Sequence, residues 1–190
     1  MTRLIDGIIR RHTKPLHPEA TGWSSTGRLL CGIKAVLWDV YGTLFISDGI
    51  ELGNADPFSQ AAAMRDALRD AGIEHHGPAV HVVTRLLATI RDAHARARRE
   101  SIEYPEIDIV SIWRATLQSL AEQEGEAAPV LDESVLRRLA VEYECRVNPV
   151  WPMPNGFICV NALREAGILL GIVSNAQFYT RELFPALLGA

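Results

Sequence analysis

Cysteine is scarce: Cys31, Cys145 and Cys159 are the whole complement, an odd number at spacings that fit no zinc pattern. They are expected as small buried hydrophobes. Long apolar runs are also lacking. No segment approaches the roughly 20 residues of a membrane span. The early apolar residues Leu4, Ile5, Ile8 and Ile9 are broken up by Asp6, Arg10 and Arg11, which argues against a secretory segment. Positive charge is not in excess, since 19 Lys and Arg stand against 23 Asp and Glu, for a net charge of −4. Neither nucleic acid nor a membrane is expected as a partner, and the local basic stretch Arg91, Arg96, Arg98 and Arg99 reads as a solvated helix face. A cytoplasmic protein is expected.

A length of 190 residues suits one domain, or one domain carrying an inserted module. Residues 1–32 read as an N-terminal arm or linker: a short amphipathic segment, then Pro15, Pro18, Gly22, Ser24, Ser25 and Gly27, with Trp23 expected to pack the arm on the body. Ile33 to Trp38 is an apolar run of the kind a parallel strand needs when both its faces are buried. After Leu44-Phe45-Ile46 comes a loop with Gly49, Gly53 and Asn54, and then four helical segments without a strand between them. The first opens at Asp56-Pro57, an N-cap with proline at N1, carries Phe58, Ala61, Ala62, Leu68 and Ala71, and stops at Gly72. The second starts at Pro78 and repeats Val83, Leu86, Leu87 and Ile90 at helical spacing. The third follows Tyr104-Pro105-Glu106 with Val110, Trp113, Leu117 and Leu120; the fourth begins near Asp132 with Leu136, Leu139, Ala140 and Tyr143. Pro149, Pro152 and Pro154 close this helical module.

Asn155-Gly156 then leads into a crossover helix ending at Gly167, and Ile168 to Val173 forms the second strand, followed by a last helix over 180–188. Two parallel neighbours would place their polar ends, Asp39 and Ser174-Asn175, side by side at the carboxyl edge of one sheet. That is where open α/β folds put their chemistry. Taken alone, Asp39 is equally a strand-end cap and Ser174 a turn residue; their joint register makes them a candidate site. The histidines offer no metal pattern: His12, His17, His75, His76 and His81 read as exposed loop residues.

The stretch Asp39-Val40-Tyr41-Gly42-Thr43-Leu44, together with Val173-Ser174-Asn175 and Pro154-Asn155-Gly156, resembles the first two motifs of the haloacid dehalogenase superfamily, with an inserted helical cap between them. The resemblance covers residues 33–190. It implies an α/β fold: a partial Rossmann-like parallel-sheet core over 33–47 and 150–190, and a helical cap over 48–149. It also implies a hydrolase acting through a covalent aspartyl intermediate on a small anionic substrate, an organic phosphate or a 2-haloacid. Asp39 would be the nucleophile, and Thr43 would orient it. Ser174 and Asn175 would hold the substrate's anionic group or the attacking water, and Gly42 would shape the turn and let backbone N–H groups approach an anion. In the phosphatase branch Asp39 and the Tyr41 backbone carbonyl would bind Mg²⁺; the dehalogenase branch needs no cofactor.

Tyr41 stands where phosphatases of the family usually carry a second aspartate, and a phenol with a pKa of about 10 is a poor general acid near neutrality. Displacing a halide needs no such proton, and the dehalogenase branch does carry tyrosine at this place. Against that branch, only Arg69 is present in the early cap where an arginine-bearing helix rich in tryptophan and glutamine is expected, and Arg69 reads as solvated. The substrate stays open between the two classes. The family's third motif, a lysine or arginine, and its fourth, an acidic cluster, follow later strands, beyond Ala190. A shortened member is expected, weakly active or inactive, with unpaired sheet edges and uncovered apolar faces. The alternative is a non-catalytic interaction protein built on a degenerate core. A homodimer is left open by the sequence.

Overall fold

The computed structural model describes residues 2–22, 27, 30–47, 56–103, 105–125 and 130–189. Trp23, Tyr104 and the loop carrying Gly49, Gly53 and Asn54 lie outside the described residues. The chain is mixed α/β. Its elements run α1 (Thr2–His12), β1 (Ala35–Trp38), β2 (Phe45–Ser47), α2 (Pro57–Ala71), α3 (Ala79–Arg99), α4 (Ile109–Glu124), α5 (Glu133–Val147), β3 (Val150–Pro152), α6 (Gly156–Glu165), β4 (Leu169–Ile172), a 3-10 turn (Thr180–Glu182) and α7 (Leu183–Leu188).

Local chemistry sets the helix ends. Asp56 accepts from the N–H groups of Phe58 and Ser59 with Pro57 at the first position of α2, and Gly72 closes the helix at φ +79°. Asp108 and Asp132 cap α4 and α5 in the same way. The buried face of α2 differs from the expected one: Gln60, Met64, Ala67, Leu68 and Ala71 point inward, while Phe58 is 78% exposed. In α3, α4 and α5 the buried residues include those read from the helical spacing, among them Leu86, Trp113, Leu117, Leu136 and Tyr143. Trp113 meets Tyr143 edge-on at 5.6 Å, and the Tyr143 hydroxyl donates to buried Gln60 at 2.5 Å. The hydrogen bond satisfies the Gln60 carbonyl oxygen, whereas its buried amide nitrogen has no hydrogen-bond partner among the described residues.

The helix α1 opens the segment read as an arm. Ile5, Ile8 and Ile9 are buried in the main core, against α5 and α7. The C-terminal turn of α1 meets a buried charge. Glu142, on α5, is fully buried; Arg146 Nη1 lies 2.5 Å from it, His12 Nε2 3.1 Å and Arg11 3.6 Å, while Arg146 Nη2 reaches Asp70 on α2 at 2.5 Å. His12 is therefore a half-buried network member rather than an exposed loop histidine, because its ring reaches Glu142 within hydrogen-bond distance. Burial, then the Arg146 charge, hold the His12 pKa below its ordinary 6.5, with Glu142 acting in the opposite sense. A folded pKa below the unfolded one means fewer protons bound in the folded state, so this stabilisation is complete above 6.5 and is lost as pH falls through the folded value. The urea midpoint is expected to drop between about pH 7 and about pH 5, and to drop less in His12→Gln. An identical acid slope in the variant sinks this assignment.

Two short ladders complete the fold. β1 and β4 are parallel, in the register Ala35↔Leu169 to Trp38↔Ile172. β2 and β3 are antiparallel, Phe45↔Pro152 to Ser47↔Val150, and they tie the two ends of the helical module together. The sequence reading has no counterpart for β2–β3, since three-residue strands, one ending in proline, show no alternation to read. The helix α6 precedes β4 and contacts it, but buries no residue. On the β1–β4 sheet, Leu37 and Leu169 are 70% and 72% exposed, so the strands are apolar without being covered. The cysteines also depart from expectation: Cys31 and Cys159 are exposed and Cys145 is half-buried, because α6, which carries Cys159, turns none of its residues into a core. Burial pushes the Cys145 thiol up to about 12, an inert group at neutral pH. The basic residues Arg91, Arg96, Arg98 and Arg99 lie on an exposed face of α3. Among the described residues no helix is long and apolar enough to cross a membrane.

Candidate active site

The parallel register decides what meets at the sheet edge. Trp38 pairs with Ile172, and the Val173 N–H donates to the Trp38 carbonyl at 2.9 Å, which brings Asp39 level with Val173 and next to Ser174. Asp39, Tyr41, Val173, Ser174 and Asn175 line one open cleft of about 340 Å³. Asp39 and Asn175 are exposed there and Ser174 is half-buried.

A tight turn follows Asp39. Buried Val40 anchors it, and the Val40 carbonyl accepts from the N–H groups of Leu44 and Phe45, both at 2.9 Å. Gly42 sits at φ +74°, in the left-handed region that a side chain rarely adopts. Its N–H donates to the Phe45 carbonyl at 2.7 Å. Gly42 thus shapes the turn, and its amide is engaged inside it. Thr43 is exposed, and among the described residues no hydrogen bond joins it to Asp39. Of the residues read as a site, the fold gathers Asp39, Tyr41, Ser174 and Asn175; Gly42 supports them from the turn, and Thr43 stands outside the cleft lining.

The turn directs the Tyr41 ring inward. Its hydroxyl lies 2.8 Å from the Thr180 hydroxyl, at the start of the 3-10 turn. Burial pushes the phenol up to about 12, and the Thr180 hydrogen bond offsets only part of that rise. Behind Tyr41 runs a polar chain. The Ser47 hydroxyl donates to Asn148 Oδ1 at 2.8 Å, and Asn148 Nδ2 donates to Glu144 at 2.9 Å. The Tyr179 hydroxyl also bonds Glu144, whose carboxyl burial holds above the ordinary range.

No family model matches the sequence, and no curated protein does. What the cleft can do chemically therefore rests on its own residues. It offers the exposed Asp39 carboxylate, the Ser174 hydroxyl and the Asn175 amide within a common space, beside a Tyr41 whose own hydroxyl is taken by Thr180, and no second acid among the lining residues.

Several contributors are invisible in the sequence. Gln177 clamps the segment after β4 to the helical module: its Oε1 accepts from the Ile109 N–H at 3.2 Å and its Nε2 donates to the Ile107 carbonyl at 3.0 Å. That bond satisfies one of the free amides at the start of α4. Thr180, Glu144 and Asn148 are polar residues in or beside helices, and nothing local separates them from solvated ones. Arg69 lies on the outer side of α2, paired with Asp66 and Asp70 and 67% exposed, away from the cleft.

Proposed function

We propose that this chain is a hydrolase of the haloacid dehalogenase type, acting in the cytoplasm on a small anionic substrate with Asp39 as nucleophile. In this reading the helical module is a cap over a partial Rossmann-like core. The observation that carries it is the parallel β1–β4 register, which brings the Asp39 carboxylate and the Ser174-Asn175 pair into one cleft.

With a 2-haloacid, an Asp39 oxygen attacks the carbon bearing the halogen. The C–O bond forms as the C–halogen bond breaks, and the halide leaves with the bonding pair. Water then adds to the ester carbonyl, the acyl C–O bond breaks, and the products are a 2-hydroxy acid, the restored carboxylate and one proton. With a phosphate ester, the Asp39 oxygen bonds phosphorus and the departing alkoxide has to be protonated. Tyr41 is badly placed for that task, with its hydroxyl tied to Thr180 and its pKa about 12. This supports the 2-haloacid over the phosphate.

For Mg²⁺ the site supplies the Asp39 carboxylate and the Tyr41 carbonyl, whereas this cation takes an octahedron of oxygens. Among the described residues no group of three or more acidic, histidine or cysteine side chains could hold a metal. Waters and substrate oxygens would have to complete the octahedron around these two protein oxygens, and no step above passes through the cation.

Tyr41→Phe tests the proton argument. A general acid contributes roughly 10²–10⁴-fold, so haloacid turnover is expected to stay within about tenfold of the parent. A loss of about 10³-fold, with the fold intact by circular dichroism, assigns the phenol a part in the chemistry. The deciding experiment for the nucleophile is single-turnover hydrolysis in heavy-oxygen water by the full chain and by Asp39→Asn.

A further inference from the structure

An anionic substrate approaching Asp39 meets a like charge, and the lining of its cleft contains no cation. Positive groups stand on the other side of Ser174. There a groove of about 600 Å³ opens between α5 and the segment that follows β4, lined among others by Val40, Arg137, Ser174, Phe178 and Arg181. Ser174 belongs to both spaces. The groove and the cleft are thus two sides of one polar strand end.

Arg137 is held in place on two sides. Its Nε donates to Glu133 at 2.7 Å, one helical turn earlier, and its guanidinium lies 4.5 Å above the centre of the Phe178 ring. A guanidinium stacked on an aromatic face and tied through Nε has its plane set, while its outer edge stays open. Among the described residues no hydrogen bond engages Nη1 or Nη2 of Arg137. Arg181 shares only the Nε tie and has no aromatic ring against it among the described residues: Nε lies 3.2 Å from Glu182, the side chain is 84% exposed, and its Nη atoms are likewise unengaged. Other arginines differ. Arg146 has both Nη atoms in carboxylate contacts, and Arg69 uses Nε and Nη1 on its neighbours.

An open fork of two parallel N–H groups is the donor geometry that matches a carboxylate or phosphate. The acids nearby limit the field: Glu133 and Glu182 pair with the two arginines, and Asp108 on the N-terminal side of α4 feels the Arg137 charge. Recognition in this groove rests on fork geometry and on preorganisation, not on a large positive potential.

We propose that this groove is the oxyanion subsite of the site described above, with Arg137 and Arg181 holding the substrate's carboxylate or phosphate group and Ser174 joining subsite to cleft. The inference rests on the reading of Asp39 as nucleophile and adds the cation which that reading lacks.

Inorganic phosphate and propionate serve as probes, titrated calorimetrically into the full chain carrying Asp39→Asn, which keeps the groove and removes the nucleophile. At least one probe is expected to bind. Arg137→Met and Arg181→Met, each made in that background, are expected to weaken it about tenfold or more, the scale of a lost charge-assisted hydrogen bond. Arg137→Lys, which keeps the charge and loses the fork, is expected to fall between. Binding of phosphate alone assigns the subsite to a phosphate group, and binding of propionate, alone or with phosphate, to a carboxylate-sized group; both support it. Unchanged affinity in both methionine variants overturns the subsite, as does a folded chain that binds neither probe. Arg181 is exposed, so its variant keeps the test decisive even where Arg137→Met unfolds. If arginine-dependent binding is found while Asp39→Asn retains turnover, the nucleophile reading falls and the subsite stands.

Discussion

Asp39→Asn is expected to remove turnover of a 2-haloacid by roughly 10⁴-fold or more, the scale on which the loss of a covalent nucleophile is read. The amide differs from the carboxylate by a single atom replacement, and Asp39 is exposed at the sheet edge, so the folded structure is expected to be unaffected. Turnover by the parent chain is expected to be slow, because no cation lines the cleft itself and the nearest ones, Arg137 and Arg181, stand in the adjoining groove. Single-turnover conditions remove the dependence on a high rate. In heavy-oxygen water the ester intermediate is opened by attack at its acyl carbon, which leaves the label on the Asp39 carboxylate after one cycle. Peptide mass spectrometry reads that label directly. Turnover that persists in Asp39→Asn, or product labelled while Asp39 is not, sinks the nucleophile. A parent chain that acts on neither a 2-haloacid nor a phosphate ester shifts the balance to a non-catalytic interaction protein, whose surface would include the exposed sheet residues Leu37 and Leu169.

Arg146→Met is expected to cost about 3–5 kcal/mol of stability, the scale for breaking a buried ion pair by removing one partner. Glu142 is fully buried, and Arg146 is its closest cation, at 2.5 Å, while also bonding the Glu142 backbone carbonyl. Removing it leaves His12 and Arg11 as the remaining partners, of which His12 is held toward its neutral form. The same change removes the Arg146–Asp70 contact, so α2 loses a link to α5 while Asp70 keeps Arg69 as its partner. Adding Glu142→Gln to Arg146→Met is expected to recover much of the loss, because the cost comes from an uncompensated buried charge and not from missing volume. Urea unfolding of the parent, both single variants and the double variant measures the cycle. Additive losses contradict the network.

The helical module was legible because its signals are local. A carboxylate cap, a proline at the first turn and a glycine at the end act within a few residues, so Asp56, Asp132, Gly72 and Gly167 mark boundaries that the fold keeps. Leu86, Trp113 and Leu136 are buried as their spacing implies. The periodicity misled at Phe58, which is apolar yet exposed, while the inward positions of α2 include Gln60, made tolerable only by Tyr143 on α5. The docking of α1 was hidden for a similar reason: an amphipathic segment carries no record of the surface that will bury it.

The candidate site divides along the same line. The strand-end positions of Asp39 and of Ser174-Asn175 follow from two apolar runs and a crossover helix, and the structure pairs those runs in parallel. The sequence by itself determined the helix boundaries, the two parallel strands and the residue types at their ends, since each depends on backbone preferences and apolar spacing over a few residues. Only the tertiary structure decided the inward turn of Tyr41 onto Thr180, the β2–β3 ladder across the base of the helical module, and the open guanidinium edge of Arg137 beside Ser174. These rest on contacts between residues up to 139 positions apart. No local preference encodes such a contact, because its energy exists only once burial has brought the two groups together.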